Sequence, residues 1–164
     1  MKEHLQYLLL GSNLGDRKKQ LDEAISMINK RIGPVMKQSS FYETEPWGFS
    51  SDEFFLNIAL QIVTALTPEE VMQKTGEIEK GFGRERSGTG YSSRIMDIDI
   101  LFYDDLVMDQ DTLKIPHPLI QDRAFVLVPV NEIAPDLLHP VFGKTIHELL
   151  LDCPDNKGVR KLLR

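Results

Sequence analysis

Between positions 54 and 63 every even residue is apolar (Phe54, Leu56, Ile58, Leu60, Ile62), while the odd ones include Asn57 and Gln61. Side chains alternate across a strand, so this stretch reads as extended chain with one face in a core. Phe55 and Asn57 then stand side by side on the other face. Such a strand must find partners, and the flanking sequence supplies them. Residues 7–10 read as a buried strand that ends in the loop signature Gly11-Ser12-Asn13-Leu14-Gly15. Asp16 suits an N-cap, Leu21, Ile25, Ile28 and Ile32 repeat at helical spacing, and Gly33-Pro34 stops that helix. Residues 35–42 suit another strand, followed by a turn-rich loop at 44–49. Downstream, Thr67-Pro68-Glu69-Glu70 offers an N-cap threonine, a proline at N1 and a glutamate at N3, and Val71, Ile78 and Phe82 give the helix its apolar stripe. A loop rich in glycine and arginine (Gly83, Arg84, Arg86, Gly88, Gly90, Arg94) leads into a fourth strand at 95–103.

The order β-α-β-β-α-β is the signature of a ferredoxin-like α+β sandwich. The expected fold is an antiparallel sheet with helices packed on one face. C-terminal additions follow: a short piece at 106–108, a proline-rich crossing at Ile115-Pro116-His117-Pro118, a helix over 123–133 and an amphipathic piece over 145–151. The 164 residues contain no repeat, low-complexity tract or Pro/Ser-rich linker, so one domain spanning 1–164 is expected. A fold of this kind does not assign a function.

Charge and composition narrow the choice. A formal net charge of −6 argues against a broad electrostatic grip on nucleic acid. An acidic chain that handles a polyanion needs divalent cations or a local arginine cluster. The one cysteine, Cys153, cannot form an internal disulfide and fits a reducing compartment. No stretch approaches the roughly 18 to 20 apolar residues of a membrane span. A cytoplasmic monomer with small-molecule substrates, and with neither nucleic-acid nor membrane partners, is the expectation.

The chemistry concentrates in Arg94-Ile95-Met96-Asp97-Ile98-Asp99-Ile100-Leu101-Phe102. In a strand, Met96, Ile98, Ile100 and Phe102 point to the core, and Asp97 and Asp99 share the opposite face with Cα atoms about 7 Å apart. Two carboxylates at that separation repel, and a cation between them removes the conflict. All-oxygen ligation on a rigid element favours Mg²⁺. A solvated strand face on which the aspartates limit edge-to-edge association accounts for the same pair. The arginine-bearing loop directly before the pair shifts the balance towards a site that closes over phosphates. A Gly-x-x-x-x-Gly-Lys-Ser/Thr phosphate loop and an HExxH motif are both absent, and His4, His117, His139 and His147 lack metal-ligand spacing.

Seven blocks stand together in order: Gly11-Ser12-Asn13-Leu14-Gly15-Asp16; Ser40-Phe41-Tyr42-Glu43-Thr44 with Pro46 and Gly48; Phe55-Leu56-Asn57; Gly83-Arg84-Glu85-Arg86; Arg94 to Leu101; Pro116-His117-Pro118; and Arg123-Ala124-Phe125-Val126-Leu127-Val128-Pro129. With these blocks the chain resembles the 6-hydroxymethyl-7,8-dihydropterin pyrophosphokinase family, enzymes of folate biosynthesis. The resemblance implies transfer of pyrophosphate from ATP to the pterin hydroxymethyl group, with AMP released. It implies two magnesium ions on Asp97 and Asp99, with Arg84 and Arg94 closing on the phosphates. Phe55 and Phe125 would sandwich the pterin, Asn57 would bond its edge, and Thr44, Pro46 and Trp47 would line the pocket. Glu79, Arg86, Tyr91, Ile100, His117 and Arg123 match positions associated with ATP. Tyr91-Ser92-Ser93 departs from the family's usual Trp-Gly-Pro, and Glu45 and Trp47 depart at the pterin mouth. The rival readings are a ferredoxin-like binding module, a two-metal phosphodiesterase and a relative without turnover because of its altered loop.

Overall fold

Residues 2–44, 54–83, 95–155 and 158–162 are described by a computed structural model. β1 (His4–Ser12) pairs with β4 (Phe55–Thr64) on one side and β5 (Asp97–Tyr103) on the other, antiparallel throughout. β2 (Val35–Gln38) and β3 (Tyr42–Thr44) both pair with β4, and β8 (Val159–Lys161) adds to β3. The sheet order β5-β1-β4-β3-β8 places the chain-order neighbours of the βαββαβ pattern where a ferredoxin-like fold requires them. A separate two-stranded ribbon joins β6 (Met108–Asp109) to β7 (Lys114–Ile115).

The two crossover helices, α1 (Arg17–Arg31) and α2 (Pro68–Gly81), share one face of the sheet, as expected. Their core takes Leu21, Ala24 and Ile28 from α1, Val71 and Ile78 from α2, and Leu8, Leu10, Leu56, Ile58, Leu60, Ile62, Ile98 and Ile100 from the sheet. A fully buried Leu or Ile of this kind contributes about 2 kcal/mol. α2 begins with the capping box read from its sequence: Thr67 accepts from Glu70 N while Glu70 accepts from Thr67 N. The C-terminal additions α3 (Ala124–Ile133) and α4 (Ile146–Leu151) cover the other face, against Tyr7, Leu9, Ala59, Leu101 and Phe102.

Two expectations need correction. The stretch 35–42 is not one strand. It breaks at 39–41, where Ser39 Oγ accepts from Ala59 N in place of a ladder bond, and the register moves by one residue between Gln38↔Leu60 and Tyr42↔Asn57. Phe102 does not share the face of Met96, Ile98 and Ile100. β1 pairs Tyr7 with Phe102 and Leu8 with Ile100, which leaves Leu101 as an extra residue. The bulge turns Leu101 and Phe102 together towards α3, while Met96, Ile98 and Ile100 stay in the α1/α2 core.

Among the described residues, a buried side-chain amide in β1 has no compensation. Gln6 in β1 is fully buried, and both its amide oxygen and nitrogen lack hydrogen-bond partners. Gln6→Met keeps the shape and removes the desolvation cost, so stability is expected to rise by about 1 kcal/mol. A higher urea midpoint at unchanged m would show this, whereas a lower midpoint would contradict it.

Candidate active site

β5 lies at the end of the sheet, and a cleft of about 480 Å³ runs along its outer edge. Met72, Thr75, Gly76 and Glu79 of α2 form one wall, and Asp97, Ile98, Asp99 and Ile100 form the floor. Asp111, Thr112, Leu113 and Lys114 of the ribbon, with His117 and Pro118, form the other wall. Along β5 burial alternates: Ile98 and Ile100 are buried, and Asp97 and Asp99 are half-buried between them. The two carboxylates therefore reach the cleft from one strand face while the isoleucines hold that strand to the core. Glu79 reaches across from α2, and its Oε2 accepts from Ile98 N at 2.8 Å. This bond satisfies a backbone donor between the two aspartates and fixes the distance from helix to strand.

The bulge at Leu101 has a use here. Its carbonyl accepts from His117 N at 3.1 Å, which ties the Pro116-His117-Pro118 crossing to β5. His117 Nδ1 accepts from Leu119 N at 3.3 Å, which leaves Nε2 as the protonated nitrogen of the neutral ring. Burial lowers the imidazole pKa below its ordinary value, the Arg123 guanidinium pushes the same way, and the Asp97 carboxylate opposes both. His117 is accordingly a neutral donor at pH 7 and sits within electrostatic reach of Arg123 and Asp97.

A second region opens on the α3 face. Tyr42 pairs with Asn57, Asn57 with Gly11, and Gly11 with Asp97, giving one row across four strands. Directly paired residues in antiparallel strands share a face. Asn57 and Asp97 are thus two strand spacings apart, about 10 Å, with no side chain between them. A Cβ on Gly11 would lie 2.5 Å from Asn57 Oδ1. Phe55 and Thr44, paired with each other, continue the same face. Thr44 is 2% exposed, and its hydroxyl has no hydrogen-bond partner.

From α3, Phe125 packs half-buried over the same side of the sheet, and the Arg123 guanidinium lies 5.4 Å from its ring centroid. Pro129 sits inside α3 and has no N–H to donate to the Phe125 carbonyl. The far end of α3 is anchored by Glu132, which accepts from Ser40 N, Ser40 Oγ and Tyr42 OH. Burial pulls the Glu132 pKa upward, but the hydrogen bonds from Tyr42 and Ser40 outweigh it and hold the carboxyl below its usual range. Tyr42 moves the other way, raised by burial and then by that same carboxylate.

Of the residues expected from the sequence, Glu79, Asp97, Asp99, Ile100 and His117 line one cleft, with Arg123 close enough to act on His117. Thr44, Phe55, Asn57 and Phe125 lie together on the α3 face. Pro46, Trp47, Arg84, Arg86, Tyr91 and Arg94, with Glu45, fall outside the described residues. Sequence reasoning missed Gly11, which it took for loop although it is the gap in the central strand. It also missed the 111–114 wall and the Glu132 anchor, none of which carries a periodic or motif signal.

Comparison with known proteins gives a consistent result. The family model described as 7,8-dihydro-6-hydroxymethylpterin-pyrophosphokinase (HPPK) matches residues 7–135. A 2-amino-4-hydroxy-6-hydroxymethyldihydropteridine pyrophosphokinase of Porphyromonas gingivalis is 42% identical over 137 residues, covering 82% of this chain and 92% of the relative. Its namesake in Aquifex aeolicus is 39% identical over 142 residues, covering 87% and 88%. A crystal structure of a Plasmodium falciparum HPPK-DHPS triple mutant superimposes with TM-score 0.76 at 17% identity, covering 92% of this chain and 43% of that one. At that identity the superposition speaks for the fold, and this chain spans less than half of that longer protein.

Proposed function

The chain belongs to the 7,8-dihydro-6-hydroxymethylpterin-pyrophosphokinase family and is a pyrophosphokinase of folate biosynthesis, and on that premise we propose how its residues divide the work. Membership implies ATP as the phosphate donor. In this reading the β5 cleft takes ATP, and the Phe55, Asn57, Thr44 and Phe125 face takes the pterin. The row Asn57–Gly11–Asp97 supports this reading, because the residue assigned to the pterin edge and the first of the two carboxylates stand about 10 Å apart across a strand position that carries no side chain.

Two half-buried carboxylates on one strand face suit hard cations that keep waters and take phosphate oxygens. Among the described residues no cluster of three or more His, Cys, Asp or Glu side chains closes around a metal. In this reading Asp97 and Asp99 would hold two magnesium ions, as the family resemblance implies, with coordination positions left for ATP. Bound there, magnesium would supply charge neutralisation on the phosphates and align the attacking and leaving oxygens. The protein's part is positional. Phe55 and Phe125 stack the pterin, Asn57 fixes its rotation, and the buried Thr44 hydroxyl offers an otherwise unused partner. His117 and Arg123 orient ATP, and Glu79 keeps the cleft at its width through Ile98. The hydroxymethyl oxygen then attacks the β-phosphorus of ATP, and the bond from that phosphorus to the bridging α-oxygen breaks. AMP leaves and the hydroxyl proton is released. Arg84 and Arg94 would close on the phosphates, with Arg86 and Tyr91 beside them, and Pro46 and Trp47 would complete the pterin mouth.

One domain over 1–164, acting as a cytoplasmic monomer, belongs to the same reading. Both cores close on a single sheet, and no described helix is long and apolar enough to cross a membrane. The deciding experiment follows AMP formation from ATP and 6-hydroxymethyl-7,8-dihydropterin. AMP should appear only with pterin and magnesium together. ATP binding without AMP would point instead to a relative without turnover.

The division of the site makes its own prediction. Phe55→Ala and Asn57→Ala are expected to raise KM for the pterin by roughly ten-fold or more and to change KM for ATP by less than about two-fold. Steady-state kinetics with each substrate varied in turn checks this, and the reverse order would exchange the two subsites.

A further inference from the structure

The segment following α4 lies beyond the 7–135 stretch that the family model matches, yet it touches both walls of the pterin pocket. On the α3 side, the helix begins at Arg123 without a side-chain cap of its own. Its first amide, Ala124 N, donates instead to Asp155 Oδ2 at 3.0 Å, from a residue 31 positions away. First-turn amides have no partner within the helix, so this carboxylate acts as a cap delivered in trans. It also places negative charge at the positive end of the helix dipole. The bond falls between Arg123 and Phe125, the two α3 residues placed in the site.

On the β3 side, β8 supplies the outer partner of a strand only three residues long. Val159 pairs with Thr44, Arg160 with Glu43 and Lys161 with Tyr42. The Arg160 guanidinium bonds the Glu43 carboxylate, and Leu162 N donates to Phe41 O at 2.9 Å. Thr44, whose buried hydroxyl has no hydrogen-bond partner, is thus held from both edges, by β4 and by β8.

We propose that this C-terminal segment is a positioning element of the pterin site, in which Asp155 sets the direction of Phe125 while β8 fixes Thr44. The proposal rests on the pocket assignment made above. Asp155 touches no reacting atom in this scheme. It acts through the first turn of α3, where a lost cap lets the helix start fray and the Phe125 ring tilt away from the pterin.

The test compares four variants in the full chain by kcat, by KM for each substrate and by thermal midpoint. Asp155→Ala should raise KM for the pterin about five-fold, the size of a lost N-cap, with kcat at saturation changed less than two-fold. Asp155→Asn keeps an acceptor oxygen for Ala124 N and should restore KM to within two-fold of the parent. Thr67→Ala removes a cap of the same kind from α2, on the other face, and should lower the midpoint while leaving pterin KM unchanged. Phe125→Ala reports on the pocket itself. A raised KM in Phe125→Ala with no change in Asp155→Ala overturns the positioning role and leaves the pocket standing. An equal rise in Thr67→Ala would reduce the effect to general destabilisation and overturn it too. If Phe125→Ala leaves pterin KM unchanged, the pocket assignment fails and this proposal falls with it.

Discussion

Asp97→Ala and Asp99→Ala should each cut turnover by roughly a thousand-fold or more and leave the protein folded. The size follows from what the two carboxylates do in the proposed site. A phosphoryl group in transfer offers little covalent chemistry to catalyse, so positioning and charge neutralisation supply most of the rate. Two cations held by one pair of carboxylates are lost, or displaced, when either member goes. The fold should survive because the strand is anchored by residues of the other parity: Met96, Ile98 and Ile100 are buried in the α1/α2 core, and Ile98 N still donates to Glu79. A stability change within about 1 kcal/mol is expected for each variant, typical of a substitution that leaves no cavity. AMP production over a magnesium titration, alongside urea unfolding, separates the two quantities. Near-normal rates in either variant would end the metal assignment. A collapsed unfolding midpoint would mean the pair serves the fold first.

How far the sequence could be read depended on whether the chain's period survives folding. The even apolar positions 56–62 all reach the α1/α2 core, because a central strand with two different faces admits only one register. Asp97 and Asp99 emerge from the same rule applied to β5. The rule fails wherever one residue is inserted. No glycine or proline marks the bulge at Leu101, so strict alternation puts Phe102 on the wrong face. Ser39 substitutes its hydroxyl for a backbone acceptor, and nothing in the local residue pattern of 35–42 marks the strand break that results. β8 is three residues, Val-Arg-Lys, too short and too polar to show any period, and it is specified by its pairing with β3. The ribbon wall at 111–114 is likewise set by the Asp109–Lys114 contact and, above all, by the docking of Leu113 and Ile115 into the core, which is a long-range fact. Residues that act through a partner distant in sequence, such as Glu132 on Ser40 and Tyr42 or Asp155 on Ala124, leave no local trace at all.

Gly11 shows what such a long-range constraint is worth, and Gly11→Ala should fold normally yet lose the pterin. The glycine occupies the central strand between Asn57 and Asp97, so its backbone has no turn to make and alanine suits the extended conformation there. The conflict is local: the new methyl would come within 2.5 Å of Asn57 Oδ1, while the nearest backbone atom, Leu56 O, is 3.9 Å away. The end of a side chain can swing aside where a backbone cannot, so Asn57 gives way and the sheet stays. What is lost is the orientation of a buried amide meant to bond the pterin edge, and a displaced bond of that kind costs about 1 to 3 kcal/mol of binding, or roughly ten- to hundred-fold in KM. KM for ATP should stay within about two-fold. Gly33 provides the contrast, since a Cβ there would lie 1.9 Å from the Val63 carbonyl oxygen. Gly33→Ala should therefore depress the unfolding midpoint without favouring either substrate. The decisive measurement is the double variant Gly11→Ala/Asn57→Ala. If Gly11 acts through Asn57, its pterin KM will match that of Asn57→Ala alone. If the two losses instead add, the methyl is blocking the pterin directly, and the gap at Gly11 is part of the binding surface itself.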